Sequence, residues 1–168
     1  GNYAYVADGS SGLAVIDITD PTSPLAPVYM DTSGVAYDVT VVGNYAYVAD
    51  GSSGLAVIDI TDPTSPLAPV YMDTSGVAYD VTVVGNYAYV ADNVSGLAII
   101  DITNPTSPLA PVYMDTSGYA QGVTVVGNYA YVADGSSGLA VIDITDPTSP
   151  LAPVYMDTSG VAYDVTVV

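Results

Sequence analysis

Residues 1–42 read GNYAYVADGSSGLAVIDITDPTSPLAPVYMDTSGVAYDVTVV, and everything after them is a copy. The copies run 1–42, 43–84, 85–126 and 127–168, with no residue left over. The first, second and fourth are identical, and the third differs at seven positions. A repeat of this length fixes the architecture before any other feature does, because each unit must bury its apolar faces against its neighbours.

Within one copy, Gly-Asn lies between β-rich runs, as at Gly43-Asn44, and reads as a tight hairpin turn. Tyr3–Ala7 reads as a strand, Asp8–Gly12 as a turn, and Leu13–Ile18 as a strand apolar on both faces. Thr19–Pro24 breaks the chain with two prolines. Leu25–Met30 reads as a third strand, and Pro27 places it at a sheet edge, outermost. After the turn Asp31–Gly34, the β-branched run Val35–Val42 is the natural innermost strand. No segment carries a helical period. Four short antiparallel strands per copy, stacked around an axis, describe an all-β fold, a β-propeller of four-stranded blades. The chain is then one propeller or half-propeller over residues 1–168.

The runs NYAYVAD, GLAVIDI and TDPTSP, with SGYAQGVTVVGNYAYVAD in the third copy, resemble the LVIVD-repeat β-propellers over the whole chain. The resemblance implies the propeller fold and an extracellular or cell-surface location. It implies no catalytic residues. The lack of Lys and Arg departs from an ordinary member. With the near-identity of the copies, it suggests either recent amplification of a natural array or an engineered array made to study assembly, with no biological function.

The charge is one-sided: 18 acidic residues, all Asp, against no Lys, Arg or His, for a formal net charge of −18. Nucleic acid is excluded as a partner, because binding phosphates requires cationic groups. The same absence argues against docking on anionic membranes, and no apolar run approaches the roughly 20 residues of a spanning helix. The acids are dispersed among apolar and tyrosine residues, so they read as a solvated surface rather than a disordered tail.

No Cys, His or Lys is present to act as, or to activate, a nucleophile. Asp17 and Asp20 recur around the ring, which marks a structural or capping role. The chain therefore reads as non-catalytic, with no cofactor. Calcium is the sharper alternative, since it takes six to eight oxygens. The weak candidates are Asp38, Asp80 and Asp164, each expected to start an innermost strand near the central opening. Gly122 breaks that row, and no EF-hand or nine-residue calcium repeat is present.

The differences in the third copy are Asn93, Val94, Ile99, Asn104, Tyr119, Gln121 and Gly122. The turn holding Asn93 and Val94 is expected on the same rim as the loop holding Tyr119, Gln121 and Gly122. Ile99 is a conservative core change, and Asn104 falls on the opposite rim. The five clustered positions form a candidate variable rim for a protein or glycan ligand, although loops also tolerate change for want of packing. Asn93-Val94-Ser95 is in addition an N-glycosylation sequon in a turn.

Each copy starts in the second strand of one blade and ends in the innermost strand of the next. Val161–Val168 and Tyr3–Ala7 are then complementary open edges, and such edges seek partners. Closure within one chain gives four blades at about 90° to each other, whereas two chains joined head to tail give eight at about 45°. The small residues Ala4, Ala7, Ala14, Ala26 and Ala36 favour closer, flatter stacking, so an eight-bladed homodimer is expected over a four-bladed monomer or an open polymer. A cation-free surface carrying this many acids also repels itself. Moderate NaCl is expected to raise the melting temperature relative to low salt by screening. A flat or falling temperature in a salt series followed by circular dichroism would show repulsion to be insignificant.

Overall fold

The computed structural model describes all 168 residues as fifteen strands and no helix. They form four antiparallel sheets, three of which run from inner to outer strand in chain order. The first contains β1 (Tyr3–Ala7), β2 (Leu13–Asp17) and β3 (Val28–Met30). The second contains β4 (Asp38–Val42), β5 (Tyr45–Ala49), β6 (Leu55–Asp59) and β7 (Val70–Met72). The third contains β8 (Asp80–Val84), β9 (Tyr87–Ala91), β10 (Leu97–Asp101) and β11 (Val112–Met114). The fourth contains β12 (Gly122–Val126), β13 (Tyr129–Ala133), β14 (Leu139–Asp143) and β15 (Val154–Met156). Each sheet is a blade.

Local chemistry sets the strand ends. Val42 faces Tyr45, so Gly43-Asn44 is a two-residue hairpin loop, and Gly43 takes the positive φ of 59° that such a turn requires at its first position. The outer strand is at the blade edge as expected, but it starts at Val28 rather than Leu25. Pro27 has no N–H to give a ladder, and the Leu25 amide donates instead to the Asp17 carbonyl at 3.0 Å. The inner strand likewise starts at Asp38 rather than Val35. Val35–Tyr37 crosses from one blade to the next: Ala36 forms an isolated bridge to Gly9, and the Tyr37 amide donates to the Ala49 carbonyl at 2.9 Å.

The core lies between blades rather than within them. At the junction of the second and third blades, Tyr47, Ala49, Leu55 and Val57 face Ala88, Val90, Ala98 and Ile100, with Ala78 and Val81 between. Equivalent residues fill the junctions on either side. Alanine at the contact lets neighbouring sheets approach closely.

Each junction is also closed by a buried carboxylate. Asp50, Asp92 and Asp134 are 0 % exposed. Asp50 accepts the Thr32 hydroxyl at 2.6 Å and the Gly34 amide at 2.8 Å, both from the loop that leaves the preceding blade. Thr74 and Gly76 hold Asp92 in the same way, and Thr116 and Gly118 hold Asp134. Two further links recur. The Ser33 amide donates to the Tyr71 hydroxyl of the next outer strand at 2.8 Å, and the Thr40 hydroxyl to the Val81 carbonyl of the next inner strand at 2.7 Å.

One expected strand is absent. Asp164–Val168 joins no ladder in the chain, and β1 has no inner neighbour, so the first blade has three strands. The sequence Val161–Val168 does not pair with Tyr3–Ala7 of the same chain. The four blades form an open arc rather than a closed four-bladed ring.

Removing a clamp leaves a buried hydroxyl and amide without an acceptor. Asp92→Ala is expected to destabilise the fold by about 2–4 kcal/mol, whereas Asp115→Ala, at an exposed position, changes it by less than about 0.5 kcal/mol. Thermal melts of both variants check this, and equal shifts would remove the clamp from the account.

Candidate functional site

The loop leaving the third blade and the β9–β10 turn of that blade are joined directly. Asn93 and Ala120 exchange both backbone hydrogen bonds, at 3.1 and 3.0 Å. The variable positions therefore meet on one rim. Val94 is 59 % and Tyr119 54 % exposed, beside the half-buried Asn93 and Gln121. Asn93 replaces a glycine with φ near 57° and itself adopts φ 50°, which asparagine tolerates better than most residues. The sequon asparagine is thus in this turn. Tyr119 lies against the next blade, where a Cβ on Gly135 would be 3.5 Å from the Tyr119 Cβ. The Gln121 amide donates to the Ala133 carbonyl at 2.8 Å, as Tyr37 does to Ala49 at 2.9 Å. In the standard copies this position carries tyrosine, and Tyr37 and Tyr79 are in contact with ring centroids 4.8 Å apart. Gln121 ends that aromatic row and puts a half-buried carboxamide residue in its place. Ile99 is buried in the junction between the third and fourth blades, and Asn104 caps its own turn by accepting from Thr106.

The inner strands carry the second arrangement. Asp38 and Asp80 start β4 and β8, and the Asp38 carboxyl lies near enough to Asp80 to act on it. The Val81 amide donates to Asp38 at 3.2 Å, and the Val123 amide to Asp80 at 2.6 Å. Burial first, and then the Asp38 carboxyl, push Asp80 up to about 7. Gly122 continues the row without a carboxylate, and its missing Cβ would lie 3.3 Å from Asp164 Oδ1. Asp164 is exposed and has folded onto itself, accepting the Val165 amide at 2.7 Å. The structure thus brings Asp38 and Asp80 together and leaves Asp164 apart, beyond Gly122. No group of three or more acidic side chains is placed to hold a metal ion.

Asp17 and Asp20 lie on the wet side of their blade. Hydrogen bonds from the Thr19 hydroxyl and amide hold Asp17 below the usual carboxylate range, and those from Thr22 do the same for Asp20. These are local turn caps. The buried clamp aspartates were not singled out by the sequence reading, which took their position only as part of the turn Asp8–Gly12 and its equivalents. A signal was present: the third copy keeps Asp92, Thr116 and Gly118 while positions beside them change.

The pH response follows from the buried acids. Burial raises Asp92 and Asp134, against the hydrogen bonds that lower them, and Asp80 is raised further. A carboxyl whose folded pKa lies above its unfolded value holds a proton that the unfolded chain has released. Stability therefore falls as pH rises from about 4 to about 7 and flattens above that. The melting temperature is expected to drop by several degrees across this window, and Asp80→Asn should remove much of the slope. A wild-type profile that rises over the same interval would contradict the assignment.

Four consecutive segments, residues 1–32, 33–74, 75–116 and 117–158, match the LVIVD repeat. The full spans 33–74, 75–116 and 117–158 each enclose one blade from inner to outer strand. No curated protein matches the chain in sequence. Among solved structures, apo AztD from Citrobacter koseri superimposes with a TM-score of 0.61 at 16 % identity, over 98 % of this chain and 47 % of that one. The dihydro-heme d1 dehydrogenase NirN in complex with DHE gives 0.56 at 16 %, over 94 % and 37 %. The chain spans less than half the length of either, and at this identity the likeness establishes the fold alone. The chain belongs to the LVIVD-repeat family, and its four repeats are folded as β-propeller blades.

Proposed function

We propose that the chain is a non-catalytic interaction propeller, working outside the cell or at its surface, whose variable rim engages a partner. The observation that carries this is the meeting of Asn93, Val94, Tyr119 and Gln121 across one pair of backbone hydrogen bonds, on an exposed edge that differs from every other blade. An exposed aromatic ring and aliphatic group flanked by two carboxamides suits a neutral, hydroxyl-rich ligand such as a glycan: the ring stacks and the amides both donate and accept. The surrounding charge of −18 disfavours anionic ligands. The absence of Lys, His and Cys from the sequence leaves only carboxyl, hydroxyl and phenol groups for chemistry, which supports binding over turnover. Location outside the cell rests on membership of the repeat family.

A panel of neutral glycans screened against the chain tests the reading. Binding to one class is expected, and the quadruple reversion N93G/V94S/Y119V/Q121Y, which restores the standard residues at these four rim positions, should weaken it at least tenfold without loss of fold. Binding unaffected by the reversion, or no binding across the panel, would overturn it.

A further inference from the structure

The two ends of the arc carry complementary halves of an interface that the chain already builds three times. We infer that the open first blade receives the last strand of a second copy, and that two copies close head to tail into one eight-bladed ring.

The internal junctions supply the template. Asp38–Val42 pairs with β5 so that Asp38 faces Ala49 and Val42 faces Tyr45. Asp164–Val168 has the same sequence as Asp38–Val42, and Tyr3–Ala7 the same as Tyr45–Ala49. The same register sets Asp164 opposite Ala7 of the second copy, Val165 opposite Val6, and Val168 opposite Tyr3. This strand completes the three-stranded first blade and gives a ladder to five residues that have none.

The polar links fall into place by the same offsets. Asp8 is the equivalent of the buried Asp50 but is exposed, with no threonine hydroxyl or glycine amide bound to it. Thr158 and Gly160, the equivalents of Thr32 and Gly34, are exposed at the other end. Joined, they form the fourth clamp. Ser159 adopts φ 63° and turns its amide onto Asp157 at 2.9 Å, whereas Ser33, Ser75 and Ser117 donate to tyrosine hydroxyls of the next blade. Tyr29 of the second copy supplies that hydroxyl. Asp164 and Thr166 likewise meet Val39 of the second copy, as Asp38 and Thr40 meet Val81.

The apolar surfaces match too. Val6 is 41 % exposed, whereas its equivalents Val48, Val90 and Val132 are fully buried. At the far end, Leu139, Ala162 and Val165 line an open cavity of about 170 Å³. That is the side of the junction which, elsewhere, is filled by the valine, alanine and isoleucine of the following blade. The ring size follows from closure. Propellers typically have four to eight blades. One chain supplies four and does not close on them. Two chains supply eight and leave no edge open. In a longer array the same edges would join flanking repeats, so it is the 168-residue chain that is tested.

Light scattering coupled to size exclusion should give twice the mass of one chain, independent of concentration. A mass of one chain, or one that grows with concentration, overturns the inference. Deleting residues 164–168, which pair with nothing inside the chain, should leave folded blades of single-chain mass. The natural absence of cysteine permits a covalent test. In Val6→Cys/Val165→Cys the two thiols face each other across the new ladder, at the spacing a disulfide accepts. Oxidation should give a two-chain band that thiol reduces to one chain. A disulfide confined to one chain, or a ladder of higher bands, would rule the two-chain ring out. The glycan-binding reading and this inference fail separately, since one is read by ligand and the other by mass.

Discussion

The contact between neighbouring blades is the constraint on which the rest of the structure depends. A four-stranded sheet of this composition is apolar on both faces and cannot shield itself. Each face is covered only by the next blade, through alanines that permit close approach and through one buried aspartate that accepts a hydroxyl and an amide from the loop before it. A buried carboxylate without those donors would be costly. With them, it fixes the path of the crossing segment and hence where the next inner strand begins. The loop Asp157–Gly160 shows the converse: with no aspartate to bind, its serine takes a positive φ and bonds locally.

The same dependence explains what the sequence made legible. Period, strand number, strand order and the outer position of the proline strand follow from residue types and turn chemistry, which are local. The meeting of Asn93 with Tyr119 and Gln121 was also legible, because rim assignment follows from strand direction. The role of Asp50, Asp92 and Asp134 was not. In the sequence they stand in short polar turns, Asp-Gly-Ser at Asp50 and Asp134 and Asp-Asn-Val at Asp92, and their donors lie 18 and 16 residues earlier in another blade. The strand limits failed for a related reason. Val35–Tyr37 has strong strand propensity but spends its residues crossing between blades, and Leu25–Pro27 lacks the donors a ladder needs.

The acids divide by environment although many share one sequence context. Asp17 and Asp20 stay ionised in turns that hydrogen-bond them, and they keep the surface charged. Asp38 and Asp80 are brought together by the stacking of inner strands, and burial, with the Asp38 carboxyl beside it, raises Asp80. A complete row of such residues would multiply this cost at the centre. Gly122 interrupts it, where backbone of the following segment leaves no space for a Cβ. The one copy that departs from the repeat thus both relieves the inner row and carries the distinct rim.

Those two consequences are linked through symmetry. In an array of identical blades every rim is the same, and no direction around the ring is special. The third copy breaks that equivalence once per chain. In a ring of two chains, the twofold axis places the second variable rim four blades from the first, on the same face and diametrically opposed. If each rim binds its ligand as proposed, a surface displaying several ligands would engage both at once, and the second contact would form at the effective concentration set by the rigid ring. A weak site of few residues, such as one tyrosine and two amides, gains most from that arrangement. In that reading repetition supplies the rigid spacing, and the single altered repeat would supply the recognition.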